Sequence, residues 1–494
     1  MAYKIMIQGT MSNAGKSFIV TGLCRAFSNL GYRVAPFKSQ NMALNSGVTP
    51  DGLEMGRAQI VQAEAARTVP DVRMNPILLK PNSDIGSQVI VMGKPVGNMK
   101  AAEYYEYKPS LIPVIREAFS SLEEDYDVII VEGAGSPAEI NLKENDIVNM
   151  GLAKMLELPV LLAGDIDLGG VFAQLLGTLE WLDNEERNII KGMIINKFRG
   201  DVTLLTPGIK MLEERTGKKV TGVIPYSTAR IDAEDSVTAD ERMKKSGRAF
   251  LNNQSDINIT VIRLPHMSNF TDFTPLENID GVQVTYLASA EELNKAYEMK
   301  FMDLLIIPGT KNTAGDLKWM KKNGIADFVK AIVKSVPVMG ICGGNQILGV
   351  SVADPDEIEG KGEEEGLALI NQKTVMDKEK TLKKVKGVLK CEGGFFSCLN
   401  GVEYEGYEIH SGLTEASDKR FSEDVFGTYI HGIFDCAGPA KALINGLRKR
   451  KGLAEYEGVI KDYKDLKDSE YEAAAKTVSE ALDMEMLFGI MGIE

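Results

Sequence analysis

Short apolar, β-rich runs alternate with helical patterns through most of this chain, and that alternation leaves little open except parallel sheets covered by helices. In the first half the runs are KIMI, YRVAPF, DVIIVEG, LPVLLAG and KGMIINKF, with SFIVTGLCRAFSNLG as the first helical stretch among them. The pattern stops near Ile224 and Pro225, where a polar, charged stretch begins. It resumes with INITVIRLP, VQVTYL, DLLIIPGT, VPVMGIC and DVFGTYIHGIF, and beyond residue 440 the chain reads as helical. A chain of 494 residues exceeds what one hydrophobic core serves. The break is therefore read as a boundary: one domain over residues 1–230, a linker over 231–256, a second domain over 257–443 and a helical segment over 444–494.

With 44% hydrophobic and 26% charged residues, both halves have the means to bury a core. A net charge of -14 lacks the basic surface that replaces counterions on phosphate, so no nucleic-acid partner is expected. The five cysteines show no close metal-ligand pairing, which suits a reducing cytosol. The opening MAYKIMIQGTMSNAGKS has too short an apolar run for a signal peptide, and no stretch reaches the roughly 18 apolar residues of a membrane span. A cytoplasmic location without membrane contact is the expectation.

Directly after the first strand comes GTMSNAGKS. Glycines there expose backbone amides, the following helix offers its positive end, Lys16 meets phosphate charge and Ser17 offers a hydroxyl to magnesium. Gly9, Thr10, Asn13, Gly15, Lys16 and Ser17 are the expected nucleotide contacts. Magnesium also calls for carboxylates. Glu132, ending the strand of DVIIVEGAGS, lies where open α/β sheets bind ligands. Glu54, in DGLEMGRAQ, is either a second metal ligand or a solvated acid at a helix start. Asn196 and Lys197, in NKFRGD, are candidates for the nucleotide base, although Asn196 equally suits a turn cap.

In VPVMGICGGNQILG an apolar strand runs into a glycine-flanked turn holding Cys342, followed by a helix. Such an elbow projects a nucleophile into a cleft while the next amide, that of Gly343, faces an oxyanion. A lone cysteine is usually a small hydrophobe, so the reading needs a base. His431, at the end of the strand in VFGTYIHGIFD, supplies one. Gly309 and Thr310, in LIIPGTKNT, follow a strand and would complete the oxyanion hole.

These elements carry resemblances. The loop from Gly9 to Gly15 is one residue longer than the usual P-loop and is similar to that of the dethiobiotin synthetase group, which implies ATP and Mg2+ as cofactors. The order of Gly309, Cys342 and His431 resembles the class I glutamine amidotransferases. Their usual glutamate two residues after the histidine is here Ile433, an absence shared by the cobalamin branch, so the third catalytic group stays open. His410 and Glu408, in GYEIHSG, match that branch too. The runs APFKSQNMALNS, EMGRAQIVQAEA, MNPILLKP, EGAGSPAEINL, DIVNMGLA and LPHMSNFTDF extend the likeness over nearly the whole chain, which resembles the cobyric acid synthase family.

The resemblance implies an α/β fold of two doubly wound domains, a P-loop dethiobiotin synthetase-like one and a class I glutamine amidotransferase-like one. It implies glutamine and adenosylcobyrinate a,c-diamide as substrates, with ATP-driven amidation of the b, d, e and g carboxylates. An anionic corrin needs local cations and amides, so Lys38, Asn41 and Lys80 are candidate substrate contacts, or else an exposed pair of lysines and a capping asparagine. Asp146 is a candidate for positioning an acyl phosphate. Rival readings are the sister a,c-diamide synthase, a cell-wall isoglutaminyl synthase and a P-loop partitioning switch; the last leaves Cys342 and His431 without a role.

Overall fold

A computed structural model describes residues 2–81, 86–231, 255–359, 362–415 and 423–493. The chain forms two compact units, one of Met1–Ala43, Leu53–Glu234 and Lys467–Glu494, the other of Leu44–Gly52 and Asp235–Leu466. Most of the expected linker, residues 232–254, lies outside the described residues. The stretch 444–494, read from sequence as one segment, is divided: residues from Lys467 onward join the first unit and those before it the second.

The first unit is built on a parallel sheet with strands in the order Lys219–Pro225, Ile190–Phe198, Val160–Asp165, Tyr3–Gly9, Val128–Glu132 and Val34–Phe37. Val128–Glu132 and Val160–Asp165 are buried along their whole length, as strands covered on both faces must be. This explains their unbroken apolar sequence. Parallel register brings Ile7 beside Glu132 and Asp165 beside Asn196, so the C-terminal ends of four adjacent strands open on one edge. A smaller four-stranded sheet contains Gln40–Met42, Ile77–Pro81, Gly86–Val91 and Lys94–Lys100.

The helix Lys16–Asn29 that follows the glycine loop is covered by residues near the chain's end. Tyr471, Val478, Leu482, Leu487 and Met491 share one core cluster with Ile19, Leu23 and Phe27. Gly22 permits the approach, since a Cβ there would lie 2.6 Å from Val478 Cγ2. The fully buried Arg25 side chain donates to Asp468 and, at 3.1 Å, to Glu472. Helices near residue 480 thus complete the core around a loop that begins at residue 9.

In the second unit a parallel sheet runs in the order Val282–Leu287, Ile257–Ile262, Leu304–Ile307, Val338–Ile341 and Val425–Thr428. Gly309, Cys342 and His431 each follow the C-terminal end of one of its last three strands. Beside it stands a mixed four-stranded sheet of Gly362–Glu365, Ser351–Asp354, Lys373–Val388 and Glu403–Thr414.

Candidate functional site

The glycine loop of the first unit closes on Gly15, whose φ of 92° is the left-handed conformation that favours glycine. Asn13 is left-handed as well, with φ 62°. A Cβ on Gly15 would fall 2.0 Å from Asn196 Nδ2, so the loop accepts no side chain there. Asn196 Nδ2 donates to the Ala14 carbonyl at 2.9 Å, and Lys197 Nζ donates to the Asn13 carbonyl at 2.6 Å and to Asp165 at 2.6 Å. The pair expected at the nucleotide base thus also holds the glycine loop. Thr10 Oγ1 donates to Gln174 at 3.1 Å.

Lys16, almost wholly buried, turns its ammonium onto the carbonyls of Met11 at 3.2 Å and Gly135 at 3.1 Å. Ser17 Oγ donates to Glu132 Oε1 at 2.9 Å, Lys38 Nζ reaches the same oxygen at 3.0 Å, and Gln62 donates to Glu132 Oε2. Lys38 belongs to the glycine-loop cluster. Leaving Glu132 buried without its lysine would cost roughly 3–5 kcal/mol, so this ion pair is a structural commitment as well as a charged site. Among the described residues, Gln8 Oε1 and Gln62 Oε1 are buried without a hydrogen-bond partner. Orphaned oxygens beside a hydroxyl–carboxylate pair fit a phosphate-bound magnesium, which takes few protein oxygens. Ser17 and Glu132 are the groups that would hold it.

Glu54 is no solvated acid. It is fully buried and accepts from Lys80 Nζ at 2.9 Å, so neither of these residues nor Lys38 is an exposed charge. Asn41, also buried, donates to Gln59 Oε1 at 2.8 Å. Asp146, the candidate for positioning an acyl phosphate, is engaged by backbone: its carboxylate accepts from the amides of Val148 and Asn149 at 2.8 Å and of Gly151 at 2.9 Å. Those bonds set the start of the helix Met150–Leu156, and both oxygens are spent on backbone.

In the second unit Cys342 stands between the strand Val338–Ile341 and the helix Gly343–Leu348 with φ 53° and ψ −109°. A non-glycine residue in such a conformation carries strain of about 1–3 kcal/mol, held in place by its surroundings. Gly343 and Gly344 allow the elbow to seat, since a Cβ on Gly344 would fall 1.9 Å from the Ile307 carbonyl. The thiol donates to the Ile409 carbonyl at 3.4 Å. By contrast Cys24 is sealed in the first unit's core, where burial and the charge of Glu132 push its thiol far up, leaving it inert.

His431 is buried, and its Nδ1 lies 2.7 Å from Asp272 Oδ2, while Asp272 Oδ1 accepts from the Gly432 amide at 2.9 Å. Asp272 is the orienting acid that sequence reading left open. It lies inside LPHMSNFTDF, a run noticed only as a family mark, 159 residues away from the histidine. With Nδ1 committed, Nε2 is the nitrogen left for Cys342. Burial alone would lower the imidazole pKa, but Asp272, with Cys342 adding to it, raises it to about 10.

The Gly309 carbonyl accepts from Ser268 N at 2.9 Å. Because that peptide is planar and trans, its N–H, which belongs to Thr310, faces the other way, toward Gly343. A Cβ on Gly343 would lie 3.0 Å from Thr310 N. Of the two residues expected to complete the oxyanion hole, Thr310 thus has its amide on the Gly343 side of the loop. Gly309 leaves room for His431, whose Cε1 would be 3.1 Å from a Cβ there. Asp316 accepts from Thr310 Oγ1 at 2.5 Å and lies 2.8 Å from His266 Nδ1, which fixes the loop from below. His410 stacks on Tyr429 with ring centroids 3.9 Å apart and reaches Glu408 at 3.4 Å.

Residues 258–438 match the family model of a CobB/CobQ-like glutamine amidotransferase domain, and residues 5–237 that of a CobQ/CobB/MinD/ParA nucleotide binding domain. A cobyric acid synthase from Ruminiclostridium cellulolyticum is 50% identical, covering 100% of this chain and 98% of its own length. The chain belongs to the cobyric acid synthase family. Within that family the likeness is broad: a cobyric acid synthase from Salmonella arizonae is 46% identical over 99% of both chains. A solved glutamine amidotransferase covers 40% of this chain at 15% identity and a TM-score of 0.27, too remote a likeness to carry weight. Cobyric acid synthase membership makes the chain an amidotransferase ligase with a nucleotide-binding half and a glutaminase half.

Asp272→Asn tests the orienting acid. The change keeps size but offers Nδ1 an amide donor, which favours the wrong tautomer. Glutamate release should fall on the order of 10²-fold. Amidation from ammonium salts should persist. A raised histidine pKa stabilises the folded state fully below its ordinary 6.5, and that contribution fades as pH climbs through about 10. The stability deficit of Asp272→Asn should accordingly be greatest at neutral and lower pH and vanish above about pH 10, as denaturant titrations at several pH values would read.

Proposed function

We propose that this enzyme amidates the b, d, e and g carboxylates of adenosylcobyrinate a,c-diamide, using ATP and glutamine, in cobalamin biosynthesis. The observation that carries the reading is the buried Cys342, His431 and Asp272 constellation on a strained elbow, in a chain whose other half has a glycine loop suited to nucleotide phosphate. A glutaminase without a consumer would waste its ammonia as ammonium; a P-loop ligase is such a consumer.

In the first unit the loop amides, Lys16 and Lys197 gather around the place of the phosphates, and Ser17 with Glu132 would hold Mg2+, which neutralises phosphate charge. Transfer of the terminal phosphoryl group to the substrate carboxylate gives an acyl phosphate, turning a poor leaving oxygen into phosphate. In the second unit His431 takes the Cys342 proton, and the thiolate attacks the glutamine carboxamide carbon. The oxyanion faces the amides of Gly343 and Thr310. His431 then protonates the departing ammonia, and water releases glutamate from the thioester. Ammonia attacks the acyl phosphate, a C–N bond forms and phosphate leaves.

Incubating the purified protein with ATP, glutamine and a panel of corrinoids, with mass spectrometry of the products, tests this directly. Each carboxylate converted to amide shifts the mass by a fixed step. Steps on the a,c-diamide but not on cobyrinate itself would support the assignment; steps confined to the a and c positions would indicate the sister enzyme.

A further inference from the structure

Lysines are almost never fully buried unless paired. Lys108 is only 9% exposed, yet among the described residues its ammonium has no hydrogen bond or ion pair. It opens the turn Lys108–Leu111 directly after the helix Ala101–Tyr107. That helix is tied to the segment carrying Lys38 and Asn41, because Tyr104 donates its hydroxyl proton to Gln40. The loop following Glu132 is tied to the same segment by Ser39 Oγ, which donates to the Ile147 carbonyl at 2.6 Å. Two independent anchors thus gather Lys108, the Asp146–Ile147 loop and the end of the strand Val34–Phe37 on the ligand-binding edge of the parallel sheet.

Asp146 is the charge that acts on Lys108, but its oxygens are already committed to the amides of Val148, Asn149 and Gly151. It eases burial of the ammonium without closing an ion pair. Burial holds the Lys108 pKa below the ordinary lysine value, with Asp146 opposing, as expected of a partly desolvated cation.

We propose that Lys108 is a binding residue for a carboxylate of the acceptor substrate, the counter-charge that the protein itself leaves out. The inference rests on the acceptor being the polycarboxylate corrinoid of the proposed function. An ammonium–carboxylate hydrogen bond formed out of water contributes about 1.5–3 kcal/mol, which is roughly 10- to 100-fold in affinity.

The test is steady-state amidation by the full chain, as wild type, Lys108→Met, Lys108→Gln and Lys108→Arg, with adenosylcobyrinate a,c-diamide varied at saturating ATP and glutamine. Lys108→Met and Lys108→Gln should raise the corrinoid KM by roughly 10- to 100-fold and leave the ATP KM and the glutaminase rate alone. Lys108→Arg should keep most of the affinity. Melting temperatures of the uncharged variants should not drop, because no partner is orphaned by removing the charge. An unchanged corrinoid KM overturns the proposal, and so does a raised ATP KM, which would make phosphate the ligand. A lowered melting temperature with intact KM also overturns it by showing a purely structural lysine. Failure of the wild type to amidate the corrinoid would instead be a failure of the functional reading, visible before any variant is assayed.

Discussion

Cys342→Ser should lose glutamine-dependent amidation by on the order of 10⁴-fold or more, because removing the nucleophile from a Cys–His–acid unit disables the unit as a whole. A serine hydroxyl is far less acidic than a thiol and, on the same strained elbow, is a much poorer nucleophile toward a carboxamide. The elbow itself should survive, since glycines and the neighbouring strands determine its backbone and the exchanged atoms are similar in size. The same protein should therefore still form product from ammonium salts at alkaline pH, where free ammonia is abundant. Parallel assays with glutamine and with ammonium separate this outcome from a folding defect, which would depress both. Glutamine-dependent product at the wild-type rate would remove Cys342 from the reaction.

Lys16→Ala should behave in the opposite way and suppress amidation from both nitrogen sources, by about 10²–10³-fold, the scale seen when one preorganised donor to developing charge is removed. Lys16 bridges the Met11 and Gly135 carbonyls and so links the glycine loop to the turn after Glu132. Its ammonium is placed between the two segments expected to face phosphate. Glutamine hydrolysis measured without ATP should be unaffected by the change, because the chemistry at Cys342 does not use the phosphate loop. Robust amidation by Lys16→Ala, from either source, would take the P-loop out of carboxylate activation. The pair of variants together assigns nitrogen release to one half of the chain and carboxylate activation to the other.

Local chemistry determined a good deal of this protein before any tertiary contact was considered. Unbroken apolar runs such as VIIV and VLLAG are legible as parallel strands because such strands are buried on both faces and need no polar alternation. Gly15 before Lys16 and Gly343 after Cys342 are legible because left-handed or crowded backbone selects glycine wherever it occurs. Only the tertiary structure decided which side chains share a charge. Asp272 orients His431 across 159 residues, in place of the acid absent at Ile433, and no periodicity connects the two. Lys38 and Lys80 were legible as cations but not as the buried partners of Glu132 and Glu54, and Asp146 was legible as an acid but not as one spent on three amides. The last helices, legible only as helices, belong to the core around the glycine loop because Gly22 and Arg25 receive them there. Pattern along the chain records each residue's own backbone and burial, whereas pairing between distant side chains depends on strand order and register, which exist only once the sheets have formed.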